Sequence, residues 1–214
     1  MKKPDAIIFD LDGTLWDSTE GIYDALMSLK EDFPEGTPPI SKEKLDSCMG
    51  LPMDEISRRL FPTAKEEDRD AMMERFTEYE LQHLKRVGGT LYPCIEEMLK
   101  DLSQDYPLFI VSNCQLGYIE VFLKYYGFDK YITDHLSWGA TERPKGENLV
   151  TIAEKHALQT PIYIGDTRGD ELAARYANMK FVFLPYGFGK AEAPDLTISD
   201  LCQLRDHLKE LSWD

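Results

Sequence analysis

The sequence predicts an α/β fold: a Rossmann-like, doubly wound parallel sheet with an inserted α-helical cap. Three observations carry the prediction. Ala6–Phe9 is an unbroken apolar run, as expected of a strand buried on both faces of a parallel sheet. From Asp17 to about Arg86 the apolar residues recur only at helical spacing, with no convincing strand. Beyond Pro93, helical and extended patterns alternate, the signature of a parallel sheet with crossover helices.

The elements follow in order. In the helical block, Ile22, Ala25, Leu26 and Leu29 share one helix face, and 41–47 and 53–60 read as short helices. Residues 66–86 read as a longer helix with Met72, Met73, Phe76, Tyr79 and Leu84 among its apolar positions. Pro34, Gly36, Pro38, Pro39, Gly50, Pro52 and Pro62 separate these helices. After Gly88 and Gly89 come a helix over 94–103, a strand over 108–112, a helix over 116–126 and a short extended segment at 131–133. A helix over 147–156 then precedes a strand at 161–165, a helix over 170–178 precedes a strand at 180–184, and a last helix covers 199–211. A lone buried N-terminal strand needs sheet neighbours, so the helical block reads as an insertion. The expected division is a sheet domain of residues 1–15 plus 88–214 and a cap of residues 16–87.

The chain has 214 residues and a formal net charge of −15, which argues against a nucleic-acid or anionic-membrane surface, because both need basic patches. An anionic substrate therefore requires a local positive spot or a metal. With no signal-peptide core and no apolar run of membrane-spanning length, a soluble, cytoplasmic protein is expected. Cys48, Cys94, Cys114 and Cys202 are scattered, so reduced thiols are expected rather than a disulfide or a zinc site. Oligomeric state is not legible.

Four polar clusters stand where strands should end: Asp10-Leu11-Asp12-Gly13-Thr14, Ser112-Asn113, Arg143-Pro144-Lys145-Gly146, and Gly165-Asp166 with Asp170 four residues on. Open α/β sheets bind ligands at this edge. Singly, Ser112 and Asn113 could cap a helix, Asp166 and Asp170 could favour a helix N-terminus, and Lys145 could be a surface lysine. An EF-hand reading of Asp10-x-Asp12-Gly13 fails for want of further acidic ligands. Taken in order, the clusters resemble the four motifs of the haloacid dehalogenase-like phosphatase superfamily over essentially the whole chain, most nearly its phosphoglycolate phosphatase-like group.

The resemblance implies a phosphatase acting on a small-molecule phosphomonoester. Asp10 is then the nucleophile that forms an aspartyl-phosphate, and Asp12 the general acid and base. Mg2+ is implied as cofactor, held by the Asp10 carboxylate, the Asp12 main-chain carbonyl and Asp166, with Asp170 acting close by or through water. Ser112, the Asn113 main-chain amide and Lys145 are implied to hold the phosphoryl oxygens. One departure leaves two candidates for the third motif. The phosphoglycolate group carries its lysine directly before a proline, a place taken here by Arg143; Lys145 is preferred because a compact ammonium suits a crowded site.

In the cap, Gly50-Leu51-Pro52-Met53 resembles a substrate-facing loop, and Arg58-Arg59 offers either nearby charge or a solvated helix face. Trp16 stands at the hinge, either covering the site or packing against the cap base. Tyr186-Gly187-Phe188-Gly189 is expected to border the site. A sugar phosphomutase is the alternative within the superfamily, but residues 17–29 lack the histidine such enzymes carry. The dehalogenases lack the second acid, and a phosphonate-cleaving relative needs a reactive cap lysine. A non-catalytic phospho-ligand-binding module would be expected to have lost Asp10, Asp12 or Asp166, all of which are present.

Overall fold

The computed structural model describes residues 3–208 and 211. The chain runs β1 (Ala6–Phe9), β2 (Trp16–Asp17), then helices α1 (Thr19–Ser28), α2 (Lys42–Asp46), α3 (Met53–Leu60) and α4 (Glu66–Val87). It continues with β3 (Thr90–Leu91), α5 (Ile95–Leu102), β4 (Leu108–Ser112), α6 (Tyr118–Tyr126), β5 (Asp134–Ser137) and α7 (Trp138–Thr141). The remainder is α8 (Lys145–Lys155), β6 (Pro161–Gly165), α9 (Arg168–Tyr176), β7 (Lys180–Phe183), β8 (Leu196–Thr197) and α10 (Leu204–His207).

Six strands form one parallel sheet in the order β5-β4-β1-β6-β7-β8. The first strand of the chain is thus central: Phe9 pairs with Ile110 on one side and Ile164 on the other. Successive residues of β1 point to opposite faces. Ile7 and Phe9 pack in one apolar layer with Leu99, Ile119 and Phe122, while Ala6 and Ile8 pack in another with Leu149, Ile152 and Ala174. Helices cover both faces, so a continuous apolar strand is what burial demands. Fully burying each Ile, Leu or Phe side chain among them contributes roughly 1.5–3 kcal/mol.

The helical segment leaves and rejoins the sheet through neighbouring strands. β2 and β3 pair antiparallel, Trp16 with Leu91 and Asp17 with Thr90, making a two-stranded ribbon at its base. α4 is acidic in its first turn (Glu66, Glu67, Asp68) and basic in its last (Lys85, Arg86), the arrangement its dipole favours. Its buried stripe, Met73, Phe76, Glu80 and Leu84, is apolar but for one carboxyl. α1 packs on α4, and α4 on α6 of the sheet domain.

The structure corrects several expectations. The strand beside β4 is Asp134–Ser137, not residues 131–133. It is a half-buried edge strand carrying Asp134 and His135, so hydropathy pointed instead to the preceding Tyr131-Ile132. The C-terminal helix is only α10, preceded by a 3₁₀ turn over Leu201–Gln203; residues 209 and 210 of the expected helix lie outside the described residues. Cys94 and Cys202 form a disulfide with Cα atoms 5.3 Å apart, contrary to four reduced thiols; Cys48 and Cys114 are free and buried. The pair is separated by 108 residues and brought together by packing of α5 on the Leu201–Gln203 turn, which no local spacing signals. Among the described residues, no helix is long and apolar enough to cross a membrane.

Candidate active site

The carboxyl ends of β1, β4 and β6, three adjacent strands, supply Asp10, Ser112 and the Gly165-Asp166 turn. Asp10 continues the β1 ladder, its amide donating to the Ile164 carbonyl over 2.8 Å. Asp10, Asp166 and Asp170 are buried and present carboxylate oxygens that all lie within 4.8 Å of one another. Gly13 permits this approach. Its φ is +77°, and a Cβ there would stand 2.3 Å from Asp166 Oδ2, so a side chain is excluded. A Cβ on Gly187 would meet the same oxygen at 2.3 Å, so the loop after β7 also closes down on Asp166.

Each carboxylate is held differently. Asp166 Oδ2 accepts from the Phe188 amide (2.7 Å) and Oδ1 from the Thr14 hydroxyl (3.4 Å), which brings the 186–189 loop to the site as expected. Asp170 Oδ2 accepts from the Thr167 hydroxyl and from the amides of Thr167 and Asp166, completing a capping box at the start of α9. Asp170 Oδ1 accepts from Lys145 Nζ (2.6 Å) and the Tyr163 hydroxyl (3.3 Å). Among the described residues, buried Asp10 Oδ1 has no hydrogen bond; Lys145 Nζ stands 3.0 Å from it as an ion-pair contact.

Lys145 opens α8 and is buried between Asp10 and Asp170, whereas Arg143 is exposed. Burial opposes the ammonium, but Asp10 and Asp170 more than offset it and raise Lys145 above the usual lysine value. Among the described residues, one cation, Lys145, faces three carboxylates. Burial therefore pushes Asp10 up to about 7, Lys145 opposing and Asp170 adding to the shift. Burial, with repulsion from Asp170 and Asp10, pushes Asp166 to about 8. Such a set of hard oxygen donors, short of positive charge and including the unbonded Asp10 Oδ1, fits a small divalent cation such as Mg2+.

Asp12 stands apart from that cluster. Its Oδ1 accepts three hydrogen bonds: from Ser18 Oγ (2.7 Å), Trp16 Nε1 (2.9 Å) and the Tyr118 hydroxyl (2.9 Å). Burial raises its pKa against the opposing effect of these donors. Trp16 is fully buried, edge-on to Tyr118, Phe122 and Tyr126, so packing at the hinge and contact with an acidic residue coincide in one side chain.

Above Asp10 and Asp12 lies a cavity of about 50 Å³ between the sheet edge and the helical insert. It has room for only a few waters. Ser112 and Asn113 line its floor, and the 50–53 turn lines its roof. The Asn113 side chain donates to the Gly50 carbonyl (3.0 Å), linking the two parts of the molecule. Gln115 at the sheet edge likewise donates to the Glu80 carboxylate of α4. Arg58 and Arg59 do not reach the cavity lining; they pair with Asp54 and Glu55 on a solvated helix face.

Asp10, Asp12, Ser112, Asn113, Lys145, Asp166 and Asp170, all marked by the sequence motifs, lie together at one sheet edge. Ser18 and Tyr118 beside Asp12, and Glu80 with Gln115 at the cavity, belong to no such motif. Only Glu80 left a signal: it interrupts the 73-76-80-84 stripe, where a buried carboxyl is unexpected.

Comparison with known proteins adds the lineage. The chain is 28% identical over 217 residues to a phosphoglycolate phosphatase of Vibrio vulnificus, covering 94% of each chain. It is 29% identical to one of Photobacterium profundum, covering 95% of each. A solved structure described as a predicted phosphoglycolate phosphatase from Haemophilus somnus superposes with a TM-score of 0.84 at 23% identity, covering 96% of this chain and 98% of that one. A haloacid dehalogenase-like family hydrolase from Streptococcus pneumoniae gives 0.82 at 24% identity, covering 97% and 99%. The family model described as haloacid dehalogenase-like hydrolase matches residues 7–184, from the first apolar strand through the fourth cluster, and the chain belongs to that family.

Proposed function

We propose that the protein is a Mg2+-dependent phosphatase that hydrolyses a small phosphomonoester through an aspartyl-phosphate on Asp10. One observation carries the reading: a buried, hydrogen-bond-free Asp10 oxygen at the end of the central strand, 3.0 Å from Lys145 and grouped with Asp166 and Asp170 below a covered cavity. Phosphoryl transfer needs a positioned nucleophile and charge compensation for the transferring group, and little else. The relatives named phosphoglycolate phosphatase support the same reaction class.

Asp10, Asp166 and the Asp12 main-chain carbonyl would hold Mg2+. Asp170, whose carboxylate already accepts five hydrogen bonds, serves instead to fix Lys145 and the start of α9. When bound, Mg2+ offsets the negative charge of the carboxylates and the phosphoryl group. An Asp10 oxygen attacks phosphorus as the ester P–O bond breaks, and Asp12 gives its proton to the departing alcohol oxygen. Asp12 Oδ1 already accepts three donors, so the proton is exchanged at Oδ2. Water then attacks the phosphorus of the aspartyl-phosphate, yields a proton to Asp12, and releases phosphate with Asp10 restored. General acid–base help of this kind contributes about 10²–10⁴-fold. Ser112, the Asn113 amide and Lys145 hold the phosphoryl oxygens.

In this reading residues 16–87 are a cap. Its ribbon base, with most polar ties to the sheet domain near the hinge (Trp16 and Ser18 to Asp12, Tyr125 to the Val87 carbonyl) and Asn113 to Gly50 and Gln115 to Glu80 across the cavity, suits a lid that opens for substrate and closes to exclude water. The test is phosphate release from a panel of phosphomonoesters, with and without Mg2+, by wild type and Asp10→Asn. Turnover requiring both Mg2+ and Asp10 is expected. A folded protein that releases no phosphate from any ester, or an Asp10→Asn variant with unimpaired turnover, refutes the proposal.

A further inference from the structure

The cavity above Asp10 has an unusual electrostatic inventory. On the insert side Leu45, Met49, Leu51, Met53, Ile56 and Phe76 make an apolar wall. Glu80 is its one carboxyl, buried with 3% exposure. Among the described residues no Lys, Arg or His lines the cavity. Lys145 lies beneath, engaged by Asp10 and Asp170. The two cap arginines nearest in sequence to the roof, Arg58 and Arg59, are spent on Asp54 and Glu55. The N-terminus of α3 faces the cavity through Met53, but its first turn already carries Asp54 and Glu55. A carboxylate on the leaving alcohol would therefore be desolvated here without a cation, which is costly.

Glu80 is also well placed to be read by a ligand. α4 sets it at the stripe position between Phe76 and Leu84, and Gln115 from the sheet edge donates to its Oε2. Its carboxyl is tied to the domain that holds the nucleophile. Burial pushes the Glu80 carboxyl up to about 8, so a hydroxyl or ammonium donor on the substrate would complete this buried polar pair, an ammonium also drawing the carboxyl into its ionised form, whereas an anion would meet no cation.

We propose that Glu80 is the specificity-determining residue, and that the substrate is a small phosphomonoester whose alcohol part carries no negative charge: a short chain with a hydroxyl or ammonium donor directed at Glu80. The inference rests on the phosphatase reading and narrows it, setting this protein apart from relatives named for phosphoglycolate. Packing against the apolar wall binds the chain, and Glu80 selects its polar end.

The test measures kcat/KM with Mg2+ for phosphoglycolate, propyl phosphate, 3-hydroxypropyl phosphate and O-phosphoethanolamine, with p-nitrophenyl phosphate as a reference, on wild type and Glu80→Gln. In the wild type, the better of the two donor-bearing esters should exceed phosphoglycolate by at least about ten-fold, with propyl phosphate between them. Which donor-bearing ester leads identifies the donor. Glu80→Gln, isosteric but unable to take up the negative charge that a bound donor would draw onto Glu80, should reduce the advantage over phosphoglycolate by about ten-fold. Phosphoglycolate equal to or better than the donor-bearing esters overturns the inference, as does an unchanged ratio in a folded Glu80→Gln. If that variant does not fold, the wild-type ratio alone decides. Hydrolysis of p-nitrophenyl phosphate with none of the four esters accepted overturns the inference and leaves the phosphatase reading standing. Hydrolysis of none of the five defeats that reading, and the inference with it.

Discussion

Replacing Lys145 by Met tests the charge balance of the site directly. The two side chains are similar in volume, so the substitution removes a buried cation and leaves only a small packing change. It strands Asp10, 3.0 Å from the lost Nζ, and Asp170, 2.6 Å from it, with no other ammonium or guanidinium within ion-pair distance of Asp10 or Asp170 among the described residues. Removing one partner of a buried ion pair costs about 3–5 kcal/mol. In a chain of 214 residues that lowers the melting temperature by about 6–20 °C. The cost should be larger at pH 8.5 than at pH 5.5, because burial keeps Asp10 and Asp166 protonated at the lower pH. Urea unfolding of metal-free protein at both pH values measures it, with Mg2+ restoring part of the stability but little of the turnover. Arg143→Ala, on an exposed side chain, should change stability by no more than about 0.5 kcal/mol. A loss below about 1 kcal/mol for Lys145→Met, equal at both pH values, would refute the reasoning that Lys145 balances the carboxylates.

Three further outcomes follow from the same geometry. Asp10 and Asp166 have folded-state pKa values raised from 3.8 to about 7 and about 8, so the folded state holds more protons than the unfolded between those values and 3.8. Metal-free protein should accordingly lose stability as pH rises from about 4 to about 8, and Mg2+ should stabilise it more at the top of that range, as read by thermal melts with and without the ion. Tyr118→Phe removes one of the donors that lower the Asp12 pKa, so the alkaline limb of kcat, which the proposed mechanism assigns to loss of the Asp12 proton, should move to higher pH. An unshifted limb would show that Tyr118 acts only through packing. Cys202→Ser opens a loop closed across 108 residues and should destabilise the fold by up to about 4–5 kcal/mol in the chain-entropy account, with turnover per folded molecule unchanged. Denaturant midpoints and active-site titration separate the two effects.

Asp10 and Asp12 were legible because their signal is local: an apolar strand that ends in paired acids can stand only at the edge of a buried sheet. The alternation of helical and extended periods likewise determined the layered α/β architecture and the position of the helical insertion between β1 and the later elements. The choice between Lys145 and Arg143 was not legible, because two residues of offset at a helix start decide which one points at Asp10. The partners of Asp12 were equally hidden. Tyr118 is 106 residues away, and its tyrosine reads as core at any helical position. The strand at Asp134–Ser137 escaped because an edge position permits polar residues, and the disulfide escaped because its halves meet only through packing. Glu80 shows the boundary most clearly. Sequence alone could mark a carboxyl in an apolar stripe as out of place, but only the tertiary structure could set it at the wall of the cavity over Asp10. Periodicity and burial are properties of a segment and its solvent, and so the chain carries them in its own order. The convergence of charges depends on distances between segments, which exist only once the sheet has closed.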